Sequence, residues 1–202
     1  VRCLVVVDEK GKAKSYSRAG KQFNTLKLIE KEIESLGFKN IVYDGEMCIV
    51  DEEGNEDFQS IMKEINRKDH IIENGLYQVF DFIPYEMFLK GEGKVGTFSQ
   101  RINTLQKTII SKSNRYLSFL EQTPVLSFEE LDKLNEIAST KGWEGLMIRK
   151  NDFYKGKRSN DILKVKVFHD HEYKVVDTFV GPFRYVKEGV EVEEEMLSGV
   201  AI

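Results

Sequence analysis

Several charged groups in this 202-residue sequence sit inside apolar, strand-like runs, where charge is expensive. Glu46 follows Asp44-Gly45 and leads into Met-Cys-Ile-Val. Glu144 follows Trp143 and leads into Gly-Leu-Met-Ile, and Lys164 and Lys166 alternate with Leu163, Val165 and Val167. Burying a charge is costly unless a partner offsets it. In a strand the side-chain period is two, so Lys164 and Lys166 project on one face. A lysine pair on one face, with two acidic residues on neighbouring strands, is what a nucleoside triphosphate carrying a divalent metal needs. The ammonium groups meet phosphate oxygens and the carboxylates meet the water shell of the metal. Phe80, between Val79 and Asp81, offers a flat face for a base.

Taken singly, each of these residues has a simpler structural role. Lysines wet the outer face of an edge strand. Glu46 can flank a turn, Phe80 can fill a core, Trp143 can anchor a helix end, and Ser17-Arg18-Ala19-Gly20 can make a surface turn. His169 and His171 alternate, but two histidines without a third ligand do not make a metal site.

The elements that must position these groups follow from hydrophobic period and turn chemistry. Arg2 to Val7, a turn over Asp8 to Gly11 and a second run over Lys14 to Arg18 predict a hairpin. Leu26, Leu28, Ile29, Ile33 and Leu36 recur at the helical period and Gly37 stops them. Ile41-Val-Tyr is expected to turn through Asp44-Gly45 into a strand from Glu46. Phe58 to Ile65 and Thr97 to Ile110 read as helices, and Leu76 to Ile83 reads as a strand closed by Pro84. Val125-Leu-Ser127 predicts a short strand before a helix opened near Ser127 with Glu129-Glu130 and running through Ala138 to a stop at Gly142. Strands are expected again at Gly145 to Lys150 and Ile162 to Val167, with a polar loop from Asn151 to Asp161. Strands and helices come in irregular order, which predicts an α+β fold with mixed or antiparallel sheets.

Composition bounds the function. Hydrophobic residues are 41% and charged residues 32% of the chain, enough to bury a core and too ordered for a disordered segment. No run approaches the ~20 apolar residues of a membrane helix, and no targeting segment is visible, so a soluble protein is expected. With 30 Lys+Arg against 34 Asp+Glu the net charge is −4, so any contact with phosphate must be local. Cys3 and Cys48 lie in apolar runs, without disulfide or metal-ligand spacing, which suits a reducing compartment such as cytoplasm.

The order of the motifs carries more than any one of them. Arg2, Ser17-Arg18-Ala19-Gly20, Asp44-Gly45-Glu46, Phe80-Asp81, Glu144-Gly145, Lys155-Gly-Lys-Arg158-Ser159 and Lys164-Val-Lys166 together resemble the serial motifs of ATP-dependent DNA ligases, in the covalent nucleotidyltransferase superfamily. The resemblance spans Arg2 to Lys166. It implies an ATP-grasp-like adenylation domain of antiparallel and mixed sheets flanked by helices, over residues 1–168. The start of an OB-fold β-barrel is expected over 169–202. By this resemblance Arg2 closes the family's Lys-x-Asp-Gly-x-Arg motif, and Arg18 belongs to its Ser-Arg-x-Gly motif, both contacting nucleotide or a DNA phosphate. Glu46 binds the ribose side or a metal-bound water, Phe80 stacks on adenine, and Glu144 helps hold Mg2+. Arg158, Lys164 and Lys166 line the phosphates, the two lysines acting in catalysis. ATP, Mg2+ and nicked double-stranded DNA are the implied cofactors and partner, with a monomer acting in cytoplasm or, in a eukaryote, in the nucleus.

Two departures qualify the resemblance. The chain opens at Val1, where the residue after the family's Lys-x-Asp-Gly falls, so the nucleophilic lysine is expected to lie outside it. Ser-Arg-Ala-Gly also varies the commoner Ser-Arg-Asn-Gly. RNA ligase and mRNA capping guanylyltransferase share the expected fold. Glu144 at the position where capping enzymes carry Asp, with Lys155-Gly-Lys-Arg-Ser ahead of Lys164-Val-Lys, favours DNA ligase. A catalytically inactive nucleic-acid-binding module is the alternative from another class.

Overall fold

Strict alternation in Arg2-Cys-Leu-Val-Val-Val sends Cys3, Val5 and Val7 to one face of a strand and Arg2, Leu4 and Val6 to the other. Both faces are used. The computed structural model describes residues 1–50, 57–91, 93–110, 115–141, 143–166, 172–187 and 189–202. These divide into two units, Val1–Val165 and Lys166–Ile202. The first holds strands β1 (Arg2–Val7), β2 (Ala13–Ser17) and β3 (Gln22–Phe23), helix α1 (Lys27–Ser35), β4 (Ile41–Ile49), α2 (Phe58–Glu64) and β5 (Gly75–Pro84). It continues with α3 (Tyr85–Lys90), α4 (Phe98–Ile110), β6 (Leu117–Phe119), α5 (Phe128–Thr140), β7 (Leu146–Arg149) and β8 (Ile162–Val165).

The main sheet has the order β3-β2-β1-β4-β5-β6, antiparallel except that β6 runs parallel to β5. One face packs on α1, α2 and α4 through Cys3, Val5, Val7, Ile29, Ile33, Ile61, Tyr77, Val79 and Leu105. The other face carries Val42, Ile83 and Tyr154 with Leu4 and Val6 against them. A second, two-stranded sheet pairs β7 with β8. The α+β class with mixed sheets is the one expected. In the second unit β9 (Asp177–Lys187) and β10 (Val190–Ala201) form an antiparallel hairpin. No helix among the described residues is long and apolar enough to cross a membrane.

The helix ends follow local chemistry. Asp57 caps α2, its carboxylate accepting from the Ser60 N–H at 2.9 Å. Ser127 caps α5 by accepting from the Glu130 N–H at 3.2 Å, and the Glu130 carboxylate accepts from the Leu126 N–H at 2.7 Å. Three expectations need correction. Asp44-Gly45 is not a turn but the middle of the nine-residue strand β4. Val125 to Ser127 forms no strand, its polar groups serving the cap of α5, and the strand in this region is β6. Lys166 lies beyond the end of β8. The expected stop at Gly142 and the residues Val167, His169 and His171 lie outside the described residues.

Gly45 is needed for close approach. A Cβ there would lie 2.6 Å from the Tyr77 ring and 2.6 Å from the Gln78 carbonyl oxygen. The Tyr77 ring crosses β4 at this gap, and its hydroxyl donates to the carbonyls of Cys3 at 2.9 Å and Tyr43 at 3.1 Å. Burial pushes the Cys3 thiol up to about 12 and raises the phenols of Tyr43 and Tyr77 above their ordinary value. An unfolded chain releases these protons at ~8.5 for Cys and ~10 for Tyr while the native chain keeps them. The stability is therefore fully present below about pH 8 and is lost as pH rises. Urea midpoints are expected to fall continuously between about pH 8 and pH 11, and a flat profile over that range would contradict the assigned burial.

Candidate functional site

Two aspartates face each other across the main sheet, Asp44 of β4 in register with Asp81 of β5, and both are buried. Like charges directly opposite repel, so each needs its own counter-ion. Arg2 holds Asp44 through two parallel bonds, Nε to Oδ1 at 3.0 Å and Nη2 to Oδ2 at 2.6 Å. The Tyr154 hydroxyl donates to the same Oδ2 at 2.8 Å. The hydrogen bond and charge of Asp44 hold the Arg2 guanidinium above its ordinary value, against the effect of burial. Arg101, the polar interruption on the apolar side of α4, meets Asp81 in the same bidentate way at 2.8 and 3.1 Å. It also donates to the carbonyls of Gly96 and Asp152. Arg149, at the end of β7, reaches Asp81 at 3.4 Å. Burial pulls its guanidinium below the ordinary value and the two aspartates oppose that pull.

A bulge puts these groups on one face. Asp44 pairs with Asp81 while the next residue, Gly45, pairs with Val79, so Phe80 is the extra residue of β5. Regular alternation would put Asp81 on the same face as Val79, inside the helix-covered core. The extra residue reverses that and delivers Asp81 to the face of Asp44. Arg2 is in register with Glu46, and Glu46 with Gln78, so these side chains share that face. Phe80 lies there too, with the Arg2 guanidinium 5.8 Å and the Arg149 guanidinium 5.2 Å from its ring centroid. The Glu46 carboxylate lies 2.7 Å from the Val1 nitrogen, and Val1 exchanges backbone bonds with Met47.

The small sheet supplies the second half of the site. Gly145 takes φ 144°, a value that favours glycine, directly ahead of β7. The preceding Glu144 meets the Lys164 ammonium of β8 at 2.7 Å. The loop from Asn151 to Asp161 closes the cleft. Its Lys155 pairs with Asp152 at 3.4 Å and with Asp161, whose second oxygen meets Lys150 at 3.4 Å. These bonds raise the Lys155 ammonium and lower the Asp161 carboxyl relative to their ordinary values. Arg2, Asp81, Phe98, Arg149, Lys155 and Ser159 all line this cleft.

Of the residues singled out from sequence, Arg2, Glu46 and Phe80 come together on one face. Glu144 and Lys164 come together on the small sheet, and Arg149 over Phe80 ties that sheet to the main one. Arg18 is exposed in the turn joining β2 to β3. Gly20, at φ 81°, donates its N–H there to the Ser17 carbonyl, and the Ser17 hydroxyl accepts from the Lys21 N–H. Ser17 is opposite Cys3, so the turn lies at the Arg2 end of the sheet. Arg158 is exposed in the loop before β8, and Lys166 is exposed at the start of the second unit.

Asp44, Asp81, Arg101, Arg149 and Tyr154 also belong to this cluster and are not among the residues singled out from sequence. For the aspartates and arginines the signal was there, because each is a charge in an apolar strand or helix face, the criterion that selected Glu46. Tyr154 carries no such signal. Among the described residues no group of three or more His, Cys, Asp or Glu is placed to hold a metal. Glu46 and Glu144 stand as single carboxylates, a donor set that fits Mg2+ arriving with phosphate and water ligands and not a protein cage.

The chain as a whole is similar to known proteins. The Multifunctional non-homologous end joining protein LigD of Pseudomonas aeruginosa is 29% identical over 150 residues, covering 73% of this chain and 17% of that protein. The solved structure named Pmar-Lig_PreS3 superposes with a TM-score of 0.78 at 26% identity, covering 100% of this chain and 50% of that one. Chlorella virus DNA ligase-adenylate, at 21% identity, shares the fold with a TM-score of 0.57 over 95% of this chain and 76% of that one. The chain thus spans half or less of the first two relatives' length. Residues 1–166 match the family model described as ATP dependent DNA ligase domain, and the chain belongs to that family.

Proposed function

We propose that this chain is the nucleotide-binding core of an ATP-dependent DNA ligase that seals nicks in duplex DNA. One observation carries the reading: Phe80 lies on the face of Arg2 and Glu46, where the bulge also delivers Asp81, opposite the sheet that bears Glu144 and Lys164. Adenine stacks on Phe80, and Glu46 takes the ribose side. Arg2 has committed one edge of its guanidinium to Asp44, so it offers the nucleotide only its remaining N–H groups. Lys164, Lys166 and Arg158 meet the phosphates, and Arg18 meets the nucleotide or a DNA phosphate. Glu144 and Glu46 would hold Mg2+, which when bound neutralises phosphate charge.

In a parent protein that carries the family's Lys-x-Asp-Gly ahead of Val1, that lysine is the nucleophile. Its amine attacks the α-phosphorus of ATP, the P–O bond to the β-phosphate breaks and pyrophosphate leaves. AMP then passes to the 5′-phosphate at a nick, and the adjacent 3′-hydroxyl displaces AMP to close the strand. Lys164 offsets charge that develops on the α-phosphate. The second unit, a β-hairpin, is read as the beginning of an OB-type domain. With a net charge of −4 the chain binds DNA weakly by itself, and the parent acts as an intracellular monomer.

The parent protein, given labelled ATP or GTP and then nicked duplexes of DNA or RNA, tests the assignment. ATP should label the protein, added pyrophosphate should reverse it, and label should pass to nicked DNA. A preference for GTP would favour a capping enzyme, transfer to RNA alone would favour an RNA ligase, and no label would leave an inactive binding module.

A further inference from the structure

The geometry points to Arg149 as the residue that sets the plane of the Phe80 ring and so determines how tightly a base is held. This rests on the reading of Phe80 as the base platform. As the extra residue of a bulge, Phe80 has no partner in register on β4, so the ladder alone does not fix its side chain. Its ring is bounded by cations. The Arg149 guanidinium lies 5.2 Å from the Phe80 centroid and 4.5 Å from the Phe98 centroid, a planar cation between two aromatic rings. Arg149 is itself held, since its Nη1 meets Asp81 at 3.4 Å and Asp81 is fixed by the bidentate bonds of the buried Arg101. Phe98 and Arg101 share one face of α4 at a spacing of three, with the Arg101 guanidinium 5.8 Å from the Phe98 ring. The chain of support runs from α4 through Asp81 and Phe98 to Arg149, and from Arg149 to Phe80.

A side chain already ordered costs a ligand less entropy on binding, so this support acts on affinity for the base. Lysine keeps the charge but not the plane that stacks between two rings. Arg149 is therefore a positioning residue whose effect appears only with ligands that carry a base.

The test uses the full chain, with NMR titrations of AMP and of inorganic tripolyphosphate and thermal melting as a check on folding. Arg149→Lys should raise the Kd for AMP about tenfold and leave tripolyphosphate binding unchanged. In a Phe80→Leu background, itself weakened for AMP, Arg149→Lys should add no further loss. Phe98→Leu, which removes the second ring and leaves the Asp81 contact, should weaken AMP in the same selective way and serves if Arg149→Lys melts early. Unchanged AMP affinity in Arg149→Lys beside a weakened Phe80→Leu would overturn the role of Arg149. Equal losses for AMP and tripolyphosphate would do the same. Unchanged affinity in Phe80→Leu would instead defeat the base platform itself.

Discussion

Lys164→Ala or Glu144→Ala, made in a parent protein that carries the upstream lysine motif, is expected to cut transfer of AMP from labelled ATP by about 10²–10³-fold. The two residues meet at 2.7 Å, and the proposed function makes one the cation for developing phosphate charge and the other a carboxylate for the metal's ligand shell. They are also ion-paired, so a structural role must be separated from a catalytic one. Both side chains are substantially exposed, and an exposed pair contributes only ~0–1 kcal/mol to stability. Thermal melting of both variants should therefore stay close to that of the parent while labelling collapses. Labelling within a few-fold of the parent would remove Glu144 and Lys164 from the site.

Asp81→Ala should have the largest effect on stability, lowering the unfolding free energy by about 3–5 kcal/mol. The substitution leaves Arg101, 3% exposed, and the nearly buried Arg149 without their carboxylate. A domain has only ~5–15 kcal/mol in hand. Urea denaturation followed by circular dichroism reads this directly, and a change below about 1 kcal/mol would mean the network is not the closed one described. Asp81 also faces Asp44 across the sheet, so removing it relieves one repulsion. The predicted loss is net of that relief, because a buried and a nearly buried guanidinium left without a carboxylate outweigh one pair of like charges that already have partners.

Much of the fold was readable because local and tertiary preferences agree. The Arg2–Val7 hairpin, the helix ending at Gly37, the Ser127 cap and the strands around Glu144 and Lys164 all follow from period and turn chemistry. Asp44-Gly45 went the other way. A dipeptide with strong turn preference sits in mid-strand because Asp44 is held by Arg2 and Tyr154, while Gly45 makes room for the Tyr77 ring. None of those partners is near in sequence. Within the candidate site, motif order brings forward Arg2, Phe80 and Glu46, yet the reason Phe80 and Asp81 share one face is a bulge, and no residue in Val79-Phe-Asp-Phe announces it. Arg101 and Arg149 become meaningful only when α4 and β7 bring them to the same carboxylate.

The central claim is that Phe80 carries the base of a mononucleotide in the cleft between the main and small sheets. Nuclear Overhauser contacts from the adenine H2 and H8 of AMP to assigned aromatic protons of the 202-residue chain test it most directly. The account predicts contacts to the Phe80 ring, lost in Phe80→Leu along with most of the affinity. Adenine contacts to other aromatic residues, or binding that is unchanged in Phe80→Leu, would contradict it.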